Sequence, residues 1–156
     1  MKIELICIGK NAKNYLEDGV SEYAERIKRY INFEVVYIKD IKSTKNTEPE
    51  FFKEKEGELI LSRLSENDYV VLLDSGGKMF NSNSFAEFIE TKISSSKKRM
   101  VFIIGGAFGF SEEVYKRADF KISLSTLTFS HQPVRILFLE QLYRAFTILK
   151  NEPYHK

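Results

Sequence analysis

Runs of β-branched and aliphatic residues alternate with amphipathic stretches along this chain. That alternation is the signature of β-α units feeding a parallel sheet, and it narrows the fold more than any single motif does. Ile3 to Ile8 reads as the first strand and Ala12 to Tyr30 as a helix, with Tyr15, Leu16, Val20, Tyr23, Ile27 and Ile31 near helical spacing. Phe33 to Ile38 is a second strand. The charged segment Ile41 to Thr47 reads as a loop, and Glu48-Pro49 then opens a helix towards Leu64 with proline in its first turn. Val70 to Leu73 is a third strand, ended by the turn Asp74-Ser75-Gly76-Gly77. Ser84 is expected to cap a helix with Phe85, Phe88, Ile89 and Ile93 on one face. Val101 to Ile104 and Phe120 to Leu124 complete five strands, and Ser111 with Glu112-Glu113 starts a helix between them. No linker or repeat interrupts the pattern, so residues 1–156 are expected to form a single α/β domain.

The stretch IIGGAFGFSEEV, Ile103 to Val114, places a glycine-rich turn between a buried strand and a helix start. Such a turn suits a dinucleotide, because glycines admit a ligand to the backbone and the helix N-terminus attracts phosphate. The spacing argues otherwise. Gly105, Gly106 and Gly109 run G-G-x-x-G rather than G-x-G-x-x-G, and the G-K-S/T of a phosphate loop is missing. A nucleotide-dependent oxidoreductase is therefore disfavoured.

Composition closes off other classes. Neither an eighteen-residue apolar run nor a charged-then-apolar leader is present, so a cytoplasmic protein with no membrane partner is expected. The single cysteine, Cys7, lies within the first strand and reads as a buried structural thiol. With two histidines and one cysteine, no metal site is expected. A net charge of +2 does not announce a nucleic-acid partner, although Arg26-Lys28-Arg29 and Lys97-Lys98-Arg99 are local basic clusters, read first as solvated helix faces or loop ends.

The last helix, Pro133 to Leu149, carries Val134, Leu137, Phe138, Leu142, Ala145, Phe146 and Leu149 on one side, while Ile136, Leu139 and Tyr143 fall outside that stripe. A helix covering one sheet face needs one apolar stripe. Apolar residues around more of the circumference call for a second partner, and a homodimer through this helix is the natural inference over a helix wedged deep in its own domain.

Four segments, LLDSGGKMFNSNSFA, FIIGGAFGFSEEV, LSTLTFSHQPVR and LEQLYRAFTILKNEPYHK, stand in this order across the second half of the chain. Together they closely resemble the small SPOUT methyltransferases of the large subunit methyltransferase H group, which modify N3 of a pseudouridine in bacterial 23S ribosomal RNA. The resemblance covers essentially the whole chain. It implies a Rossmann-like parallel sheet with a C-terminal deep trefoil knot, a homodimer, S-adenosylmethionine as cofactor, and 23S rRNA within the assembled ribosome as substrate. Periodicity alone would never suggest a knot. A SPOUT enzyme with a different RNA target, or a non-catalytic ribosome-binding module, are the alternative readings.

By the same resemblance Leu73, Gly105, Leu124, Ser125, Thr126, Leu127, Thr128 and Phe129 bind the cofactor. Alone, Leu73 would be core and the glycine pair a turn. Asp74 in the match Asp74-x-x-Gly77-Lys78 either faces the ligand or caps its own turn. Methylating an imide nitrogen requires removal of its proton, and histidine is the side chain suited to that. His131, beside the cofactor loop, reads equally as a helix-start residue. His155 lies in the tail Pro153-Tyr154-His155-Lys156, which in the family folds beside an active site, that of the partner chain, and it is the favoured contributor to proton removal or substrate positioning. Tyr154 would stack on a base or anchor the tail. Arg135 and Arg144 would hold phosphate or the developing imide charge, or else be surface cations. Asn151 replaces the family's usual glycine and preserves a left-handed helix stop.

Overall fold

A computed structural model describes residues 1–42 and 44–155; Ser43 of the charged loop and Lys156 of the tail lie outside the described residues. Five strands, β1 (Lys2–Ile8), β2 (Asn32–Ile38), β3 (Tyr69–Met79), β4 (Arg99–Ile104) and β5 (Phe120–Ser123), alternate with helices α1 (Asn14–Ile27), α2 (Pro49–Ser62), α3 (Ser82–Ile93), α4 (Glu112–Arg117) and α5 (Pro133–Leu149). The strands form one sheet in the order β2-β1-β4-β3-β5, and every pairing is parallel.

Period-two alternation sends each strand's residues to two cores. Ile3, Leu5 and Cys7 of β1 and Met100, Phe102 and Ile104 of β4 face α1, α3 and α5. Ile6, Ile8, Val101 and Ile103 face the opposite layer, where Ile60 of α2 and Val114 of α4 meet them. Cys7 is fully buried, and burial pushes its thiol up to about 12, so it is an inert core residue.

Three boundaries differ from the sequence expectation. β3 does not stop at Leu73. Both Leu73 and Lys78 pair with Ile122 of β5, so Asp74 to Gly77 swing out of the ladder and the strand resumes beyond them. Gly77 permits this, because a Cβ there would lie 2.6 Å from the backbone nitrogen of Ile122. At the start of α3, Asn81 rather than Ser84 is the cap. Asn81 accepts the Ser84 N–H at 2.8 Å while Ser84 Oγ accepts the Asn81 N–H at 3.1 Å, a reciprocal capping box. α1 is shorter than its apolar pattern, ending at Ile27.

The last helix spans Pro133 to Leu149 as expected, but its neighbours differ. α5 lies between α1 and α3 on the sheet. Leu139 is fully buried, Ile136 packs against Gly19 of α1, and Tyr143 meets Tyr23, Tyr30 and Tyr154. The three residues outside the stripe therefore have partners within their own chain. Leu137, placed in the stripe by the sequence, is 45% exposed. The wide apolar circumference reflects a helix flanked on both sides, and by itself it no longer requires a second chain. Asn151 ends the helix with φ 55°, the left-handed stop foreseen for it.

Candidate active site

In open parallel sheets ligands bind outside the carboxyl ends of the strands. Here a cavity of about 200 Å³ opens at the ends of β3, β4 and β5. Leu73, Ile104, Ile122, Leu124, Leu127 and Val134 make its walls largely apolar, and Gly105 and Gly106 bring backbone to its edge. Of the residues expected to hold a cofactor, Leu73, Gly105, Leu124, Ser125, Leu127, Thr128 and Phe129 line it, and Thr126 does not. Ile104, Ile122 and Phe110 were missed. The first two are the terminal inward residues of their strands and were legible as such; Phe110 is brought in by Gly109, whose φ of 83° nothing in the local sequence required.

The loop after β5 is held by its own serines. Ser123 Oγ donates to the Ser125 carbonyl at 2.8 Å, and Ser125 Oγ accepts the Leu127 N–H at 3.0 Å. Leu127 is thereby presented at the pocket rim 71% exposed, an apolar side chain that a flat aromatic ligand would cover. Across the pocket, Asp74 accepts from the Tyr115 hydroxyl at 2.7 Å and from its own Gly76 N–H at 3.0 Å. Burial and the Asp74 hydrogen bond push Tyr115 up to about 12, so it remains a donor. Asp74 thus both closes its turn and lines the cavity.

His131 lines the pocket too. Burial, and then the Arg135 charge, hold its pKa below the ordinary histidine value, with Asp40 opposing weakly. Arg135 is fully buried, donating to the Ile8 carbonyl at 2.5 Å and to Asn11 Oδ1 at 3.0 Å, so it is neither a surface cation nor free to take phosphate. It ties the start of α5 to the end of β1.

Arg144, Tyr154 and His155 form a second group. Tyr154 packs edge-on against Tyr143 at 4.7 Å and donates to Glu140 at 3.0 Å. Arg144 pairs with the same carboxylate, lies 5.0 Å from the Tyr154 ring centre, and approaches His155 Nδ1 at 3.3 Å. Tyr30 fastens the segment by donating to Glu152 at 2.7 Å. None of the three lines the cavity. At about 1.5 Å of rise per residue, Arg144 stands roughly 16 Å along α5 from Pro133. The structure therefore brings His131 together with the cofactor candidates and sets the tail apart from them.

A parallel sheet with an apolar pocket at its carboxyl edge is one setting for group transfer, and comparison with known proteins defines which. The family profile described as "Predicted SPOUT methyltransferase" matches residues 1–155, and the chain belongs to the SPOUT methyltransferase family. Within it, the chain is 59% identical over 155 residues to the ribosomal RNA large subunit methyltransferase H of Christiangramia forsetii. It is 54% identical to the protein of that name from Parabacteroides distasonis and 53% to that from Flavobacterium johnsoniae. Each alignment covers 99% of both chains.

Proposed function

We infer that this chain is an S-adenosylmethionine-dependent methyltransferase of 23S ribosomal RNA, and that it methylates N3 of a pseudouridine in the assembled ribosome. The likeness to the large subunit methyltransferases over the full length of both chains carries this reading. The pocket fits the cofactor. Its apolar walls suit adenine, its backbone edges at Gly105 and the loop 124–129 suit the ring nitrogens, and it carries no phosphate cradle, which this cofactor does not need.

The cofactor supplies an electrophilic methyl group on sulfur. The chain's own task is to hold the acceptor nitrogen in line and to take its proton. His131, at the pocket wall with its pKa held below the ordinary histidine value, is the first candidate to receive that proton. Tyr154, His155 and Arg144, remote from their own pocket, serve substrate positioning at the partner's pocket in a homodimer, with His155 as the second candidate base. Leu137, exposed on α5 outside the cavity, supports such pairing. The chain over 1–156 acts as one SPOUT domain in the cytoplasm, with the segment after β5 threaded as the family's trefoil knot. Calorimetry with S-adenosylmethionine and mass mapping of ribosomal RNA from cells lacking the protein test the reading. Binding together with loss of one methyl from a pseudouridine is the expected result; no binding, or an unchanged methylation map, overturns it.

A further inference from the structure

α2 lies along the outer side of the glycine turn between β4 and α4, touching it at three successive points. Phe52 stacks on Phe108 with ring centres 5.3 Å apart, Glu56 meets Gly106, and Gly57 packs on the side chain of Ser111. The middle contact is chemically unusual. Glu56 is 8% exposed, and among the described residues it stands near Asp40 and the Gly106 backbone, with no cation paired to it. Its carboxylate fills the place a side chain at 106 would take, since a Cβ there would lie 2.6 Å from Oε1 and 2.8 Å from Oε2. Burial, and then the nearby Asp40 charge, push its pKa up, with the Gly106 backbone opposing. Asp40 itself backs onto Gly9 at the end of β1, so the two acids stand at the carboxyl ends of the adjacent strands β1 and β4.

A buried acid without a cation is costly, and an apolar residue of the same size would serve packing better. What an acid adds here is a pair of acceptor oxygens set directly against the Gly106 backbone. We propose that Glu56 is a positioning residue for the cofactor pocket: from outside the pocket it fixes the Gly106 peptide, and so sets where Gly105 and Gly106 offer backbone to the ligand. The proposal rests on the methyltransferase reading for the identity of that ligand, and on the geometry of α2 against the turn for the rest.

The test compares Glu56→Gln, which keeps an acceptor oxygen at nearly the same volume, with Glu56→Ala, which removes it. Two quantities are read on folded protein: the dissociation constant for S-adenosylmethionine, and the exchange rate of the Gly106 amide without ligand. Glu56→Ala is expected to weaken binding about tenfold or more and to speed Gly106 exchange, whereas Glu56→Gln stays within roughly threefold of the unaltered chain in both. An alanine variant that binds as tightly as the unaltered chain overturns the proposal, as does a glutamine variant as weak as the alanine one. An unmoved Gly106 amide overturns it whatever the binding data. Failure of the unaltered chain to bind S-adenosylmethionine would overturn the methyltransferase reading and this inference together. Normal binding with insensitive variants overturns the inference alone.

Discussion

Arg99 ties together the amino-terminal edge of the sheet, bonding Asp68 through Nε at 2.9 Å, Glu4 through Nη1 at 3.0 Å and the Arg63 carbonyl through Nη2 at 2.8 Å. Both carboxylates are nearly buried, so Arg99→Met leaves Asp68 without its cation and Glu4 with Lys2 alone, and is expected to cost about 3 kcal/mol in denaturant unfolding. Burial pushes Asp68 up, but the Arg99 hydrogen bond, the Ser65 N–H and the Arg99 charge outweigh it, and its folded pKa lies below the ordinary value. A depressed folded pKa contributes stability that is present above the unfolded value, about 3.9, and lost as pH falls through the folded one. The unaltered chain should therefore lose stability on acidification below about pH 4 more steeply than Arg99→Met does, and equal slopes would contradict the assignment. At the pocket, Leu127→Glu puts a charge where adenine is proposed to sit, and the lining residues include no cation to meet it. S-adenosylmethionine binding should vanish in a variant that remains folded by circular dichroism; undiminished affinity would remove Leu127 from the site.

Helix α5 shows what an element's sequence carries and what it omits. Phe138 is fully buried, tilted against Phe102 of β4 with ring centres 4.8 Å apart, and Phe138→Ala is expected to cost about 3–5 kcal/mol in the unfolding free energy. The limits of this helix were legible because Pro133 and Asn151 mark them chemically. Its partners were not, because apolar spacing says how much of a helix is covered but never by what. Leu139 and Ile136 looked unpartnered until α1 and α3 were placed beside them. The continuation of β3 past Asp74 was hidden for a related reason. Gly76-Gly77 reads locally as a stop, and only the backbone of β5 lying against Gly77 makes it a strand with an excursion. Most pocket residues were legible through ordered family motifs, whereas Phe110 depends on the Gly109 turn and Glu56 on packing between elements distant in sequence.

At the scale of the whole molecule, the tail and the pocket stand apart on one chain, which makes assembly part of the proposed chemistry. Sedimentation at micromolar concentration should give a dimer; a compact species of 18.2 kDa would oppose it. Deleting residues 154–156 removes the half-exposed Tyr154 and the exposed His155 with the last residue, so folding and cofactor binding should survive while ribosomal RNA methylation falls by orders of magnitude. Pairing a tail-deleted chain with a Leu127→Glu chain should restore one site if the tail works across the dimer, and no recovery would place it in cis. The sheet order also governs how the chain comes into being. Lys2 of β1 pairs with Arg99 of β4, so the first strand synthesised must wait for the second half of the chain before its inner edge is covered. Such distant parallel pairing is slow, on the order of milliseconds to seconds once the chain is complete, against synthesis at about 5–20 residues per second. The pocket, built from the ends of β3, β4 and β5 and the loop beyond, thus needs every residue from Leu73 to Val134, and a nascent chain cannot hold the proposed cofactor before Val134 is made.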